Sequence, residues 1–181
     1  MTHERAAVEE LDDAIRFKRA FRRYPTGVAV VTASPVGGPV GLTASSVASV
    51  AAEPAVLSFS VATSGRSAGR LLEARDLTVH LLSASQAHVA DAFARAGAPR
   101  FTADQGWELH RGSWRLPDAL AELDCRVESL VPVGGSTIVV VGVVATRLGP
   151  ASAPLVHHDR TFRRLGPVVE TRTSGVAGAG A

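Results

Sequence analysis

The chain has 181 residues, 46% of them hydrophobic, and a formal net charge of +2. That length suits one domain with a core of its own, without disulfides or a structural metal, and the single cysteine, Cys125, excludes a disulfide framework or thiolate metal cluster within one chain and fits a reducing compartment. The basic residues, all arginine except Lys18, are dispersed among acids, which argues against a nucleic-acid-binding stripe.

No run reaches the roughly eighteen uninterrupted apolar residues of a membrane span, and the N-terminus is charged rather than basic and then apolar. A soluble, untargeted, cytoplasmic chain is the expectation. Val8 to Arg23 reads as a helix whose mixed face passes through Leu11, Ile15, Phe17 and Phe21, with the arginines of Arg16 to Arg23 on a solvated face and Tyr24-Pro25 as its end.

Val28 to Thr32 and Val40 to Val47 read as strands joined by the hairpin Pro35-Val36-Gly37-Gly38-Pro39. The second is unusual, because a central strand gains stability from Val, Ile and aromatics and this one carries Thr43, Ser45 and Ser46. Either those hydroxyls bond to backbone and water, or a ligand supplies their partners. Glu53-Pro54 separates them from a third strand, Ala55 to Val61. The polar loop Ala62-Thr63-Ser64-Gly65-Arg66-Ser67 then opens a short helix over Ala68 to Ala74. Such a cluster can meet a phosphate through backbone N–H groups and a guanidinium, or Ser67 can be a simple N-cap and Arg66 a solvent-facing side chain. The lysine and glycine spacing of a Walker loop are missing.

Leu77 to Leu82 alternates as a strand with Leu77, Val79 and Leu81 on one face and Thr78 and His80 on the other. Ser83 and Gln86 stand at capping-box spacing before a helix that buries Val89 and Phe93 and stops at Gly97 and Pro99. Arg100 to Pro117, holding Phe101, Trp107, Leu109 and Trp114, has no sustained period and reads as a long excursion packed by aromatics. Ala121 to Val131 alternates charged and apolar residues, placing Cys125 among core neighbours, and Thr137 to Leu148 is so continuously apolar that it reads as a strand buried on both faces. Gly134-Gly135 turns between them. Leu155 to His158 and Thr161 to Leu165 read as a last hairpin about Asp159-Arg160, and from Gly166 the composition is too poor in apolar residues to order itself. Strands joined by short turns favour a mainly β, antiparallel barrel with a few peripheral helices, and no dinucleotide-binding glycine fingerprint is present.

The ordered run Phe21-Arg22-Arg23-Tyr24-Pro25-Thr26-Gly27-Val28-Ala29-Val30-Val31-Thr32, then Gly41-Leu42-Thr43-Ala44-Ser45-Ser46-Val47 and Pro54 to Val61, resembles the flavin reductase family with the FMN-binding split-barrel fold. Val79-His80-Leu81-Leu82 with Gln86 and Phe93-Ala94, Leu123-Asp124-Cys125-Arg126-Val127, Thr137 to Gly142, and Pro154 to His158 followed by Phe162-Arg163-Arg164-Leu165 continue the match. The resemblance covers about residues 16–166, with 1–15 as a partly helical extension and 167–181 as a flexible Gly/Ala-rich tail. It implies a homodimeric NAD(P)H:flavin oxidoreductase that reduces FMN or FAD with NADH or NADPH and supplies a flavin-dependent monooxygenase, with no membrane or nucleic-acid partner. Carried over by position, Thr43, Ala44, Ser45 and Ser46 face the ring and ribityl chain, Ser60 and Val61 line the pocket, and Arg66 with Ser67 meets the phosphate.

Hydride transfer is chemistry of the cofactors, so neither a catalytic triad nor a metal is required. His157 and His158 point to opposite strand faces and make a poor metal clamp; His158 either approaches the nicotinamide or is structural, and His157 is expected at the surface. Two departures from the family pattern stand out. Gly134-Gly135-Ser136 replaces a frequent Asp-His turn, and His80 replaces a common Asn, still able to donate or accept toward the cofactor. A flavin-binding electron carrier without turnover, or a barrel oxidase acting on pyridoxamine phosphate, are the alternatives.

Overall fold

A computed structural model describes residues 2–166. The chain opens with helix α1 (Thr2–Arg22), which crosses the expected 15/16 boundary without a break, and the tail assigned to 167–181 lies outside the described residues. Strands β1 (Thr26–Gly27), β2 (Ala29–Ala33), β3 (Val40–Ala44), β4 (Ala48–Ala52) and β5 (Ala55–Ala62) lead to helix α2 (Arg66–Leu72) and β6 (Asp76–Leu81). Helix α3 (Ala87–Ala94), a small hairpin of β7 (Glu108–His110) and β8 (Ser113–Arg115), the long strands β9 (Ala121–Val133) and β10 (Ser136–Leu148), and a closing hairpin of β11 (Val156–His158) and β12 (Thr161–Arg163) follow.

Seven strands form one antiparallel sheet in the order β3-β2-β6-β9-β10-β5-β4. It curls around one core of inward side chains, including Val31, Leu57, Phe59, Val61, Val79, Val139 and Val141, while its ends β3 and β4 are not bonded to one another. This is the antiparallel split barrel expected. β1, β11 and β12 form a second sheet, stitched to the first where Leu82 N–H donates to Val28 O and Leu155 N–H to Leu82 O, both at 3.0 Å.

Period-two alternation distributes β2 between two cores. Ala29, Val31 and Ala33 enter the barrel, and Val30, with Val28 just before the strand, faces a second cluster with Val89, Phe93, Trp107 and Leu116. All five β2 residues are therefore buried. Helix α3 starts as its sequence signal indicates, with Gln86 Oε1 accepting the Ser83 N–H at 3.0 Å, and Val89 and Phe93 are buried.

Three expectations change. The strand read over Val40 to Val47 ends at Ala44; the chain bends at Ser45, Ser46 and Val47 belong to no strand, and β4, which the hydrophobic pattern does not signal, follows to pair with β5. β10 is buried on one face only, with Val139 and Val141 inside but Ile138, Val144 and Leu148 exposed at 39%, 67% and 83%. Continuous apolarity there marks a core face backed by an uncovered apolar one. The excursion after Pro99 contains a defined hairpin, β7–β8, anchored by Phe101, Trp107 and Trp114. Cys125 is buried, and burial with the nearby Asp124 charge pushes its thiol up to about 12, so it stays an unreactive core residue. No described helix is long and apolar enough to cross a membrane.

Candidate functional site: a hydroxyl-lined groove and a buried charge chain

The bend after β3 places Ser46 against β5. Ser46 Oγ accepts the Ser60 N–H at 2.9 Å and the Ser60 hydroxyl at 3.0 Å, and its own O–H points toward Ser60 O at 3.4 Å. Thr43 donates its hydroxyl to Ala90 O at 2.6 Å, tying β3 to α3. The hydroxyls of this segment therefore divide between two tasks, since Thr43 fastens the wall while Ser46 and Ser60 present a linked pair at the exposed edge of the barrel.

Beside that pair lies a groove of about 1020 Å³, large enough for a nucleotide-sized ligand. β3 contributes Gly41, Leu42 and Thr43; β5 contributes Ser60 and Val61. Ser64, Gly65, Ser67 and Arg70 come from the loop and α2, and Phe93, Arg100 and Phe101 close the remaining side. The lining holds arginines and hydroxyls and, among the described residues, no carboxylate, a balance that favours an anionic ligand.

Of the expected site residues, the groove brings together Thr43, Ser60, Val61 and Ser67, with Ser46 joined through Ser60. Ser45 is exposed in the bend, outside the lining, and the Arg66 side chain lies outside the described residues. The expected Ala44 contact narrows, because its side chain points into the barrel core and leaves only its backbone, on the end strand β3, to meet a ligand. His158 is half-buried in the β1–β11–β12 sheet and is not among the groove residues. His157 is also half-buried, against the surface expectation, with its ring 5.9 Å from that of Phe162. The Gly134-Gly135 turn is tethered beside the groove, since Gly135 O accepts both the N–H and the hydroxyl of Thr63 at 3.0 Å.

His80 is a correction. It is 0% exposed, edge-on to Trp107 at 5.0 Å, and lines no part of the groove, so it cannot reach a cofactor there. The strand register explains its role. His80 stands opposite Glu122 on β9, and Arg147 on β10 stands opposite Glu122 from the other side. His80 Nδ1 lies 3.1 Å from Glu122 Oε1, at an angle short of a good hydrogen bond, and Nε2 is 3.0 Å from the Thr32 hydroxyl. A proton on Nδ1, facing the carboxylate, leaves Nε2 to accept from Thr32. Burial lowers the His80 pKa despite the neighbouring Glu122, so the ring is neutral at pH 7.

Glu122 continues the chain of contacts. Burial alone would raise its pKa, but the His80 ring, the Leu116 N–H at 2.8 Å and Arg147 together bring it down to about 2. Asp124, two residues on, accepts Arg115 Nη1 at 2.7 Å, Arg147 Nη2 at 2.8 Å and the Thr78 hydroxyl at 3.2 Å. Burial opposes its ionisation, yet the two guanidinium groups hold its carboxyl well below the usual carboxylate range. The alternation of charges along β9 is visible in sequence, but its partners come from β6, β8 and β10 and are set by register.

Sequence reading also missed Arg100. Its guanidinium reaches Ala92 O, Gly41 O, Arg95 O and Ser67 Oγ, and it lies over the Phe93 ring at 5.4 Å. The available signal was a lone basic residue between Pro99 and Phe101 in the loop that follows α3.

Comparison with known proteins agrees with this geometry. The flavin reductase like domain model matches residues 21–166. An NADH:FMN oxidoreductase of Rhodococcus qingshengii is 38% identical over 175 residues, covering 91% of this chain and 90% of the relative. The reductase component of 4-hydroxyphenylacetate 3-monooxygenase from Thermus thermophilus is 36% identical over 149 residues, covering 82% and 95%. An NADH:FAD oxidoreductase of Streptomyces globisporus, solved with NAD and FAD fragments, superposes with a TM-score of 0.76 at 29% identity, covering 88% of this chain and 96% of that one. A family pattern that spans every strand of the split barrel, carried by relatives of matching length, makes this chain a member of the flavin reductase family.

Proposed function

We infer that this chain is an NAD(P)H-dependent flavin reductase, using NADH or NADPH to reduce FMN or FAD and supplying the reduced flavin to a partner monooxygenase. The observation that carries the reading is the groove, whose hydroxyls and uncompensated arginines suit a phosphate-bearing, polar-edged ring ligand. A bound flavin supplies the hydride-accepting chemistry, and the chain's task is to hold and orient it. Ser46 and Ser60 offer their remaining lone pairs at the ring or ribityl edge, Val61 and Phe93 give apolar contact, and Ser67 meets the phosphate, with Arg66 assigned beside it from its place in the sequence alone.

Residues 16–166 form the reductase domain in this reading, with 1–15 as an extension and 167–181 as a tail. A second copy of the chain completes the site, a role supported by the exposed Phe17, Phe21 and Tyr24 at the end of α1 and by the uncovered apolar face of β10. His158 approaches the nicotinamide within that dimer. Sedimentation at the monomer mass under assay conditions would remove the dimer from this account. The cytoplasm is the proposed compartment, consistent with one buried free thiol.

Purified chain mixed with NADH or NADPH and titrated FMN or FAD is expected to consume the nicotinamide absorbance in a flavin-dependent way. No flavin-dependent oxidation with any pair would overturn the reading. Replacing Ser45 and Ser46 together with alanine is expected to weaken flavin binding by roughly 1 kcal/mol or more for each hydrogen bond lost. Because Ser46 also carries the Ser60 contacts, the single S46A variant should account for most of the loss, and an unchanged titration for S46A would remove this pair from the site.

A further inference from the structure

We propose that Arg100 is a positioning residue that holds Ser67 as a hydrogen-bond donor toward the phosphate of the flavin while fastening three walls of the groove together. The inference rests on the flavin reading above. Arg100 Nη1 donates to Ser67 Oγ at 3.0 Å and to Gly41 O at 3.0 Å; Nε donates to Ala92 O at 3.3 Å and Nη2 to Arg95 O at 2.8 Å. One side chain thus bridges β3, α2 and the C-terminal end of α3. Because the Ser67 oxygen accepts from a guanidinium, the hydroxyl hydrogen is turned away from Arg100 and left free for the groove.

Charge points the same way. All four partners of Arg100 are neutral, and among the described residues no carboxylate stands at ion-pair distance. Burial is the only influence lowering its pKa, and the side chain remains cationic. A partly desolvated cation whose partners are all dipoles leaves the groove with positive charge that an anionic ligand can neutralise. The backbone aims it there, because Phe101 takes the left-handed region at φ 58°, rare for an aromatic residue. That turn sends Phe101 into the aromatic cluster, with ring centroids 5.0 Å from Phe93 and 5.2 Å from both Trp107 and Trp114, while Arg100 faces the groove.

The test compares FMN with riboflavin, which has the same ring and ribityl chain but no phosphate, by equilibrium binding to wild type, R100Q, R100K, S67A and R100Q/S67A. Wild type is expected to prefer FMN, and R100Q to raise the FMN Kd about 10- to 100-fold while changing riboflavin by much less, as loss of a charge-assisted contact implies. R100K should fall between, since one ammonium cannot span four acceptors in the guanidinium's fork geometry. S67A should lose part of the same preference, and the double variant should bind FMN no more weakly than R100Q. Equal losses for FMN and riboflavin in R100Q would reduce Arg100 to a structural brace and overturn the proposal, as would independent, multiplying effects of R100Q and S67A. If R100Q does not fold, an FMN preference undiminished in S67A is sufficient to overturn it. Wild type binding both flavins equally would refute the phosphate placement alone, whereas binding neither would refute the flavin reading itself.

Discussion

Replacing Trp107 with alanine is expected to destabilise the chain by about 3–5 kcal/mol, the usual cost of emptying a buried aromatic site. Trp107 is buried at the centre of the second core, 5.3 Å from Phe93, 5.2 Å from Phe101 and 5.0 Å from His80 by ring centroids. The cavity would open beneath the Arg100-Phe101 turn, so flavin affinity should fall together with the urea midpoint. Trp107→Phe should cost clearly less. It keeps a ring in the cluster and removes the indole Nε1–H, which is buried with no hydrogen-bond partner among the described residues. A W107F midpoint as low as that of W107A would show that the indole N–H is engaged after all.

Glu122→Ala is expected to cost roughly 2–5 kcal/mol, because it strands several donors at once. The Leu116 N–H and the fully buried His80 lose their carboxylate, and Arg147 keeps only Asp124. Glu122→Gln retains an acceptor for Leu116 and should lose less. The sign of the pH effect follows from the depressed carboxylates. Glu122 moves from an ordinary 4.5 to about 2 on folding, so its contribution is complete above the unfolded value and disappears as pH falls toward 2. Asp124 and the buried neutral His80 act in the same direction, each binding its proton more readily in the unfolded chain. Urea midpoints at pH 7 and pH 3.5 should therefore show wild type losing stability on acidification and the gap to E122Q narrowing. A gap that widens at low pH would contradict the assignment of Glu122 as the ionised partner.

Much of the architecture was legible without coordinates. Alternation over Leu77 to Leu82 separated Val79 from His80, the Ser83–Gln86 signal located α3, and Gly134-Gly135 located the β9–β10 turn. These are local effects of propensity, period and turn chemistry. Reading went wrong where a residue's surroundings come from distant strands. Polar Ser45 and Ser46 looked like strand residues, yet the chain bends there to begin β4, and the gain is the Ser46–Ser60 pair across fourteen residues of sequence. His80 looked like a polar group offered to a ligand because nothing in its neighbourhood of sequence reveals Glu122, Thr32 and Trp107 closing around it.

The amino-acid sequence by itself determined the antiparallel barrel, its family and the polar β3–β5 and loop–α2 segments that border the groove, because each depends on short-range pattern. Tertiary structure decided which of those polar groups face the groove and which are consumed inside the protein. It spent Thr43 on Ala90, buried Ala44 and His80, and brought Arg100, from the loop after α3, onto Ser67. The physical reason is that a hydrogen-bonding side chain is free for a ligand only after the fold has settled every internal partner it could take, and those partners are set by strand register and helix docking over long sequence distances.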